Sequence, residues 1–428
     1  MTDYLLAAWD GGGATPPLLD LARSLLARGH DVRILADPVL RDEVEAIGAA
    51  YVPWSRAPHR TAKGAEHDLF KDWETRTPFG AFARVRDRLM CGRAADVAAD
   101  VTAELDRRPA DVVVAEVVFL GALIAAEARG IPCAGLLTTL NPLPTEGLPP
   151  FGPALGPARG PVGRLRDGAL ARMTERLWDS GLGPVNAARA GYGLPPLAHT
   201  LDQIARPERV LLLTSAAFDR PRPAGAALGN LRYVGPRLHD PAWSGGWTPP
   251  AGDDPLVLVG LSSSYMRQEP VLRRAAAALG TLPVRGMITT GPEVDPAQVP
   301  AAANVTVVRA APHREVMAHA AAVVSHCGHG TVMKALASGV PLVCLPMGRD
   351  QLEVAARVVA LGAGVKLRAG ASPAAIARAV RTVLEEPAYR ERARAMAHVL
   401  AEEERADRAV AELEALAIRT DPVPTPAG

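Results

Sequence analysis

The sequence has few aromatic residues, few cysteines and no excess of charge of one sign. Aromatic residues make up 4% of the chain, too few for the stacking surfaces that bind single-stranded nucleic acid. The formal net charge is +1, which indicates no basic surface for nucleic acid or an anionic membrane. The four cysteines form no C-x-x-C pair, which argues against a zinc ribbon or a disulfide framework. We therefore expect no nucleic-acid partner and no membrane partner.

Long apolar runs are also missing. No stretch approaches the roughly 18 apolar residues that a membrane-spanning helix needs. The N-terminus has no basic segment followed by an apolar core, so no signal peptide is indicated, and we expect a cytoplasmic protein. A chain of 428 residues exceeds the size that one hydrophobic core normally supports, which predicts two domains.

Strand and helix signals alternate in both halves of the chain. Residues 4–8 and 31–36 are strand candidates, and the helical pattern between them, residues 18–28, stops at Gly29. After a turn-rich segment at 235–255 the alternation restarts, which is typical of parallel, doubly wound sheets. We predict a first domain at 1–240, a second at 241–390, a C-terminal helix at 391–418 that packs back on the first domain, and a disordered tail at 419–428.

A Pro- and Gly-rich segment at 141–161 interrupts the pattern of the first half. It is too long for an ordinary connection between a strand and a helix. The sequence leaves two interpretations open, a loop beside the substrate or a mobile segment.

The segment "AVVSHCGHGTVMKALASGVPLVCLPMGRDQ", residues 322–351, carries the strongest chemical signal. A strand ends in a polar turn that contains Gly328 and Gly330, and a helix begins near Thr331. Small residues let backbone N–H groups approach an anion, and the start of a helix favours negative charge. His326 and Thr331 add side-chain donors at the carboxyl end of the strand, where doubly wound sheets bind ligands. The turn predicts a diphosphate site, and no G-K-[ST] of a Walker loop is present.

Two other interpretations of this turn compete. The ligand-type side chains of His326, Cys327 and His329 suggest a metal site, but only three of them cluster around one tight turn. A plain strand–helix connection explains the glycines but not Asp350 and Gln351 after the next strand. An acid–amide pair at such a crevice is suited to hydrogen bonding of vicinal sugar hydroxyls.

The whole pattern resembles the UDP-glycosyltransferase family, especially its bacterial natural-product members of the macrolide type. The resemblance rests on His-x-Gly-x-Gly-Thr, Gly-Val-Pro and Asp-Gln in the segment above, on the upstream loop "RAAPHREVM" at 309–317, and on "GLSSSYMRQ" at 260–268. It extends over nearly the whole chain and includes "LARGHDVRILADP" in the first half. It implies a GT-B fold, in which two doubly wound Rossmann-like α/β domains face a cleft.

The resemblance also implies roles for individual residues. Asp350 and Gln351 would bind the sugar, and the backbone near Ala311 would bind the base of the nucleotide. The diphosphate would be bound by Ser263, His326, Gly328, Gly330 and Thr331. Two positions depart from the family pattern: Lys334 stands where a ribose-binding Glu is usual, and Ala310 where a stacking Trp is frequent. Uridine and thymidine nucleotides therefore both remain open, and a lone lysine such as Lys334 is most often a solvated helix residue.

The loop "WDGGGATPP", residues 9–17, matches the family's acceptor-side loop without its usual catalytic histidine. The histidine position falls on Gly12, between Gly11 and Gly13, and the position of the Asp that orients it falls on Glu116. Three interpretations follow: a carboxylate, Glu116 or Asp10, is the base; the acceptor is an acidic hydroxyl such as a phenol; or the protein is an inactive binder.

Each carboxylate also has a purely structural interpretation. Glu116 could be a strand-end carboxylate with a structural partner, and Asp10 could be a turn residue beside the glycines. His59 and His67 lie in a polar segment from which either could reach the site, and nothing in their spacing singles them out.

These features predict an inverting glycosyltransferase that moves a sugar from a UDP- or dTDP-sugar to a hydroxyl, including a phenolic one, of a small natural-product acceptor. We expect no metal. We also expect no cofactor, because the nucleotide sugar is a co-substrate. Two alternatives share the fold: a nucleotide-sugar 2-epimerase and an accessory protein that binds sugar nucleotides. The sequence leaves a homodimer open.

Overall fold

Two parallel β-sheets, one in each half of the chain, organise the molecule. The structure is a computed structural model that describes residues 1–220 and 229–418, so the tail predicted at 419–428 lies outside the described residues. Within those ranges every strand pairing in both sheets is parallel, and helices cover both faces of each sheet. The doubly wound α/β architecture predicted from the alternation is the one observed.

The first sheet has the strand order β3-β2-β1-β4-β5-β6-β7 in the described part of the chain. Its strands are β1 (Asp3–Ala7), β2 (Asp31–Ala36), β3 (Ala50–Pro53), β4 (Val112–Glu116), β5 (Cys133–Leu137), β6 (Arg209–Leu212) and β7 (Leu231–Tyr233). Its helices are α1 (Thr15–Ala27), α2 (Arg41–Ala46), α3 (Pro78–Val85), α4 (Ala94–Arg107), α5 (Leu120–Arg129), α6 (Gly160–Asp179) and α7 (Leu182–Gly191).

The second sheet has the order β10-β9-β8-β11-β12-β13 over the described residues. Its strands are β8 (Leu256–Gly260), β9 (Arg285–Thr289), β10 (Val305–Val308), β11 (Ala320–Ser325), β12 (Leu342–Cys344) and β13 (Gly364–Lys366). The helices of this half are α8 (Glu269–Leu279), α9 (His313–His319), α10 (His329–Ala337), α11 (Gln351–Leu361), α12 (Pro373–Glu385), α13 (Pro387–Ala406) and α14 (Arg408–Ile418).

The central strands are apolar on both faces because each face packs against helices. In β1, Tyr4 and Leu6 lie in one core cluster, and Leu5 and Ala7 lie in the cluster on the opposite face. Side chains alternate along a strand, so a strand covered on both sides becomes a continuous hydrophobic run. This explains why β1 was recognisable from sequence as an unbroken apolar segment.

The C-terminal helical segment is two helices rather than one. α13 packs on the second domain, where Met396 and Leu400 join the core that contains Leu336 of α10. Asp407, in the left-handed region at φ 39°, ends α13, and α14 then places Val410 and Leu413 in the first-domain core. The packing back predicted for 391–418 is therefore observed for residues 408–418.

Candidate active site

The site lies where the strand order of each sheet reverses. In the second sheet β8 and β11 are neighbours although β9 and β10 separate them in sequence, and in the first sheet β1 and β4 are neighbours in the same way. Ligands of doubly wound folds bind at the carboxyl ends of such strand pairs. The loops that follow all four strands contain the residues singled out from sequence.

The two reversal points face each other across the cleft between the domains. Gly12 follows β1, and a Cβ atom on it would lie 2.9 Å from Oγ of Ser263, which follows β8. Gly12 also has φ +67°, so both its conformation and this close approach require glycine. The acceptor-side loop and the serine loop of the second domain are therefore in direct contact.

The predicted diphosphate turn runs from the end of β11 into α10. Cys327 has φ +69°, and its N–H donates to Oγ of Ser325 at 3.0 Å. A Cβ on Gly328 would come within 2.7 Å of the His326 ring, so glycine lets the backbone pack against the imidazole. Gly330 has open space where its Cβ would be, and Thr331 is half-buried in the first turn of α10. The helix begins at His329, two residues earlier than the sequence indicates.

The histidines around this turn are neutral at pH 7. Burial lowers the pKa of His326 to about 4, and its Nδ1 is buried without a hydrogen-bond partner. Burial also lowers the pKa of His313 and of His329 to about 4. The N–H of a neutral imidazole can still donate a hydrogen bond to a phosphate oxygen, but the ring supplies no positive charge.

His329 does not face the turn. Its Nε2 lies 2.8 Å from Oγ1 of Thr214 in the first domain, so this histidine joins the two domains. Across residues 1–220 and 229–418, no group of three or more His, Cys, Asp or Glu side chains is arranged to hold a metal ion.

Asp350 and Gln351 lie beside the turn, at the start of α11. The carboxylate of Asp350 accepts a hydrogen bond from Thr139 of the first domain at 2.5 Å, and burial raises its pKa. Oε1 of Gln351 accepts from the N–H groups of Met347 and Gly348, at 2.8 and 3.0 Å. Gln351 therefore stabilises the turn that precedes it, whereas Asp350 forms a hydrogen bond with the other domain across the cleft.

The predicted nucleoside side of the site contains a buried ion pair. Nζ of Lys334 lies 2.5 Å from Oδ1 of Asp240, and the Lys334 side chain is 11% exposed. Lys334 is therefore a paired residue rather than a solvated one. Ala311 is buried in the loop before α9, within the same core cluster that contains Leu258.

The acceptor-side loop is shaped by Trp9. A Cβ on Gly11 would lie 2.6 Å from the indole, so the backbone and the ring are in close contact, whereas Gly13 faces open space. The indole Nε1 donates to Oε2 of Glu116 at 3.1 Å. Trp9 also lines a small cavity between the domains, together with Asp10, Gly11, Arg60, Asp68, Leu69, Phe70, Ser264 and Arg349.

Glu116 is a buried carboxyl group at the end of β4. It is 4% exposed, and its Oε1 has no hydrogen-bond partner. Burial, with a further contribution from the charge of Asp37, raises the pKa of Glu116 to about 8. Glu116 is not part of the cavity lining, because the Trp9 side chain lies between Glu116 and the cavity.

Asp10 faces the cavity but is bound by two cations. Its Oδ2 accepts from Nη1 of Arg60 at 2.9 Å and lies 2.9 Å from Nζ of Lys63. The structure therefore brings both predicted carboxylates to the acceptor side of the cleft, where Asp10 is paired with two cations and Glu116 keeps an unpaired oxygen.

Sequence reasoning missed Asp37, which follows β2. Its Oδ2 accepts the backbone N–H of Asp10 at 2.9 Å, and burial raises the pKa of Asp37 to about 7. Glu116 was selected by the resemblance to the family pattern, which singled out no residue after β2. Asp37 directly follows a strand that was predicted with its observed bounds, at the edge where doubly wound sheets bind ligands, so a signal for it was present in the sequence.

Contacts of the segment 60–74 with the second domain were not predicted from the sequence. Asp72 forms two hydrogen bonds with Arg349, at 2.8 and 3.0 Å. The Trp73 ring meets Tyr265 edge-on at a centroid distance of 5.0 Å, and Arg60 reaches Glu293 at 3.3 Å. No local sequence signal indicates these contacts, because the two residues of each pair are more than 190 residues apart.

The Pro- and Gly-rich segment 141–161 is anchored on the second domain. The backbone N–H groups of Gly152 and Ala154 both donate to Oε1 of Glu353 at 2.8 Å. Glu353 lies in α11, two residues after Gln351. Of the two interpretations left open, the observed anchoring argues against a mobile segment, and the position beside a substrate stays a prediction.

The chain is similar to proteins whose names refer to antibiotic biosynthesis. Residues 285–416 match the family described as erythromycin biosynthesis protein CIII-like, C-terminal domain. The structure resembles that of the calicheamicin glycosyltransferase CalG4 with a TM-score of 0.76 and 24% identity, covering 99% of this chain and all of that one. At this identity the structural likeness establishes the fold, which is GT-B as the sequence predicted.

Relatives with similar sequences match nearly the full length. The 4'-demethylrebeccamycin synthase of Lentzea aerocolonigenes is 34% identical over 398 residues, covering 90% of this chain and 92% of the relative. The oleandomycin glycosyltransferase of Streptomyces antibioticus is 28% identical, covering 96% of this chain and 91% of the relative. This chain belongs to the family of bacterial natural-product glycosyltransferases, as the sequence motifs predicted.

Proposed function

We propose that this glycosyltransferase moves a sugar from a UDP- or dTDP-sugar to a hydroxyl of a small natural-product acceptor, with inversion at the anomeric carbon. The observation that carries the proposal is the contact between Gly12 and Ser263. It brings the loop after β1 against the loop after β8, which supports the proposal because an acceptor and a donor bound at these two loops would meet directly. Direct contact is what a single displacement needs.

In the donor crevice, the start of α10 and the hydroxyls of Ser263 and Thr331 would bind the diphosphate, with Gly328 and Gly330 allowing its close approach. His326 would contribute a hydrogen bond from its unpaired Nδ1. Asp350 would accept hydrogen bonds from the sugar, and Gln351 would hold the turn that positions it. The backbone near Ala311 would bind the nucleotide base.

Glu116 is the first candidate for the general base. Its raised pKa lies near the range in which a carboxylate accepts a proton effectively, and Oε1 is unpaired. Because Trp9 covers it, the proton would pass to Glu116 through a water molecule or after the indole shifts. Asp10 is the second candidate, since it lines the cavity but is held by Arg60 and Lys63.

In the reaction itself, the acceptor oxygen loses its proton to the base and attacks the anomeric carbon from the face opposite the diphosphate. The new bond joins that oxygen to the carbon, and the electron pair of the old carbon–oxygen bond leaves with the nucleoside diphosphate. Inversion follows because one displacement takes place from one face.

The names of the relatives favour this function over the two alternatives on the same fold. Oleandomycin and calicheamicin glycosyltransferases act on natural products by their own names, and a solved structure of the glycosyltransferase VinC contains dTDP. That neighbour is 19% identical with a TM-score of 0.66, so it supports a thymidine nucleotide without deciding between dTDP and UDP.

The test is turnover of UDP- and dTDP-sugars against a panel of phenolic and macrocyclic acceptors, followed by mass spectrometry and by NMR of the anomeric configuration. We expect a glycosylated product of inverted configuration with at least one donor–acceptor pair. Release of free nucleotide together with an altered sugar, in the absence of acceptor, would instead identify an epimerase. Nucleotide binding without turnover would identify an accessory protein.

A further inference from the structure

The donor crevice lacks a positive charge from its histidines. His326 and His313 are both neutral at pH 7, because burial lowers the pKa of each to about 4. The leaving nucleoside diphosphate gains negative charge as the bond to the sugar breaks. Hydrogen bonds and the helix start favour that charge, but a nearby permanent cation would do so more strongly.

Arg349 is a cation in the right place. It directly precedes Asp350, and its Nη1 donates to Oγ of Ser264 in the serine loop at 2.8 Å. Its charge also acts on His326, since Arg349 is among the groups that lower the pKa of that histidine. The guanidinium therefore lies between the serine loop after β8 and the turn after β11.

The backbone at Arg349 is unusual as well. Its φ is +54°, a left-handed conformation in which glycine or asparagine is the ordinary residue. A non-glycine residue keeps such a conformation only where its surroundings hold it, as they also do for Arg267 at φ +53°. The Arg349 guanidinium lies over the ring of Phe70, 5.3 Å from the centroid.

Asp72 forms an ion pair with Arg349 in this structure. The carboxylate binds Nε and Nη2 through two parallel hydrogen bonds, at 2.8 and 3.0 Å. Two oxygens on one guanidinium edge are also how arginine binds a phosphate. Asp72 belongs to the first-domain segment 60–74 and Arg349 to the second domain, so the pair spans the cleft and any separation of the domains would break it.

We propose that Arg349 is a catalytic residue that exchanges Asp72 for the diphosphate of the donor and stabilises the charge on the leaving nucleoside diphosphate. This inference rests on the proposed function. Asp72 then has a second role, since it neutralises Arg349 while the site contains no donor and competes with the donor for it.

The test compares four variants by titration calorimetry with UDP, dTDP and the corresponding nucleosides. We expect Arg349→Met to weaken nucleoside diphosphate binding about 10- to 100-fold and to leave nucleoside binding nearly unchanged. Arg349→Lys should lose less, because it keeps the charge but not the two-pronged geometry. Asp72→Asn should bind the diphosphate as tightly as the wild type or more tightly, because it frees Arg349.

Arg267 provides the matched control. It also has a positive φ, lies in the loop after β8 and contacts the segment 60–74, with its guanidinium 5.2 Å from the Trp73 ring. Arg267→Met removes the same charge from the same interface, and we expect it to change diphosphate affinity less than about twofold.

Three results would overturn the inference. If Arg349→Met and Asp72→Asn weaken diphosphate binding equally, the pair only holds the domains together. If Arg349→Met and Arg267→Met have the same effect, Arg349 has no special contact with the diphosphate. A wild-type protein that binds neither UDP nor dTDP would contradict the proposed function, and the inference with it. The inference predicts opposite changes in diphosphate affinity for Asp72→Asn and Arg349→Met. A loss of stability in one variant would not produce this pattern.

Discussion

The two crevices of this enzyme share a topology and differ in chemistry. Each lies where a parallel sheet reverses its strand order, between β1 and β4 or between β8 and β11. The donor crevice contains small residues, a helix start and buried neutral imidazoles, all suited to an anion. The acceptor crevice contains the buried carboxyl groups of Glu116 and Asp37, whose pKa values burial raises to about 8 and about 7. Under the proposed function, the same backbone arrangement would stabilise charge in one domain and accept a proton in the other.

The largest expected effect comes from Asp350, which accepts a hydrogen bond from Thr139 of the first domain across the cleft. Asp350→Ala should lower transfer about 10²- to 10³-fold, because the sugar loses a charged hydrogen-bond acceptor that positions it. Affinity for UDP or dTDP alone should change little, since the nucleotide does not reach this carboxylate. Steady-state kinetics and calorimetry measure the two effects separately. Equal losses of nucleotide and nucleotide-sugar affinity would place Asp350 outside the sugar site.

The next effect tests the acceptor crevice alone. Glu116→Gln should lower turnover of a weakly acidic alcohol acceptor about 10²-fold, and turnover of an acidic phenol by less, because the phenol is already partly ionised. With a pKa of about 8, Glu116 is protonated at lower pH and becomes a base as the pH rises. The wild-type rate with the alcohol should therefore increase with pH up to about 8, and a pH profile of kcat/KM measures this.

Asp10→Asn is the matched control for Glu116→Gln, since it removes the carboxylate of the second candidate base. We expect it to show less dependence on the acidity of the acceptor. If neither variant depends on acceptor acidity, neither of the two carboxylates is the base, and a histidine of the 59–67 segment or the acceptor itself takes that place.

A smaller effect isolates the donor crevice. His326→Ala and Thr331→Ala should each weaken binding of UDP or dTDP about tenfold, because each removes one hydrogen bond to a charged group. The effect should be the same at pH 6 and pH 8, because His326 is neutral at both. Calorimetry at the two pH values measures it. Unchanged affinity in both variants would contradict the donor-site assignment.

The smallest effect concerns stability rather than catalysis. The pKa of Asp37 is raised from its ordinary 3.8 to about 7, so its contribution to stability is fully present below about pH 4 and is lost as the pH rises through 7. Asp37→Asn stays neutral and should raise the melting temperature at pH 8 by about 2 °C, with no gain at pH 4. Differential scanning calorimetry measures both. Asp42→Asn, an exposed position on α2, is the control. An equal gain at both pH values would show that the effect does not come from ionisation.

Features with a local signal were predictable from sequence. The strand β2 was predicted with its observed bounds, and the turn after β11 was recognised because its glycines and His326 lie within five residues. The break at Asp407 was missed because the sequence on both sides of it favours a helix. The pairing of Asp72 with Arg349 was missed because only tertiary structure brings them together.

The break at Asp407 has a mechanical consequence. The chain passes between the domains twice, once through residues 234–255 and once at Asp407, and Arg237 of the first crossing forms an ion pair with Asp407 of the second. Two crossings joined side by side behave as one pivot, which permits bending about an axis through them and resists twisting. When the cleft opens, each domain rotates about this pivot, so the loops farthest from the pivot move the greatest distance.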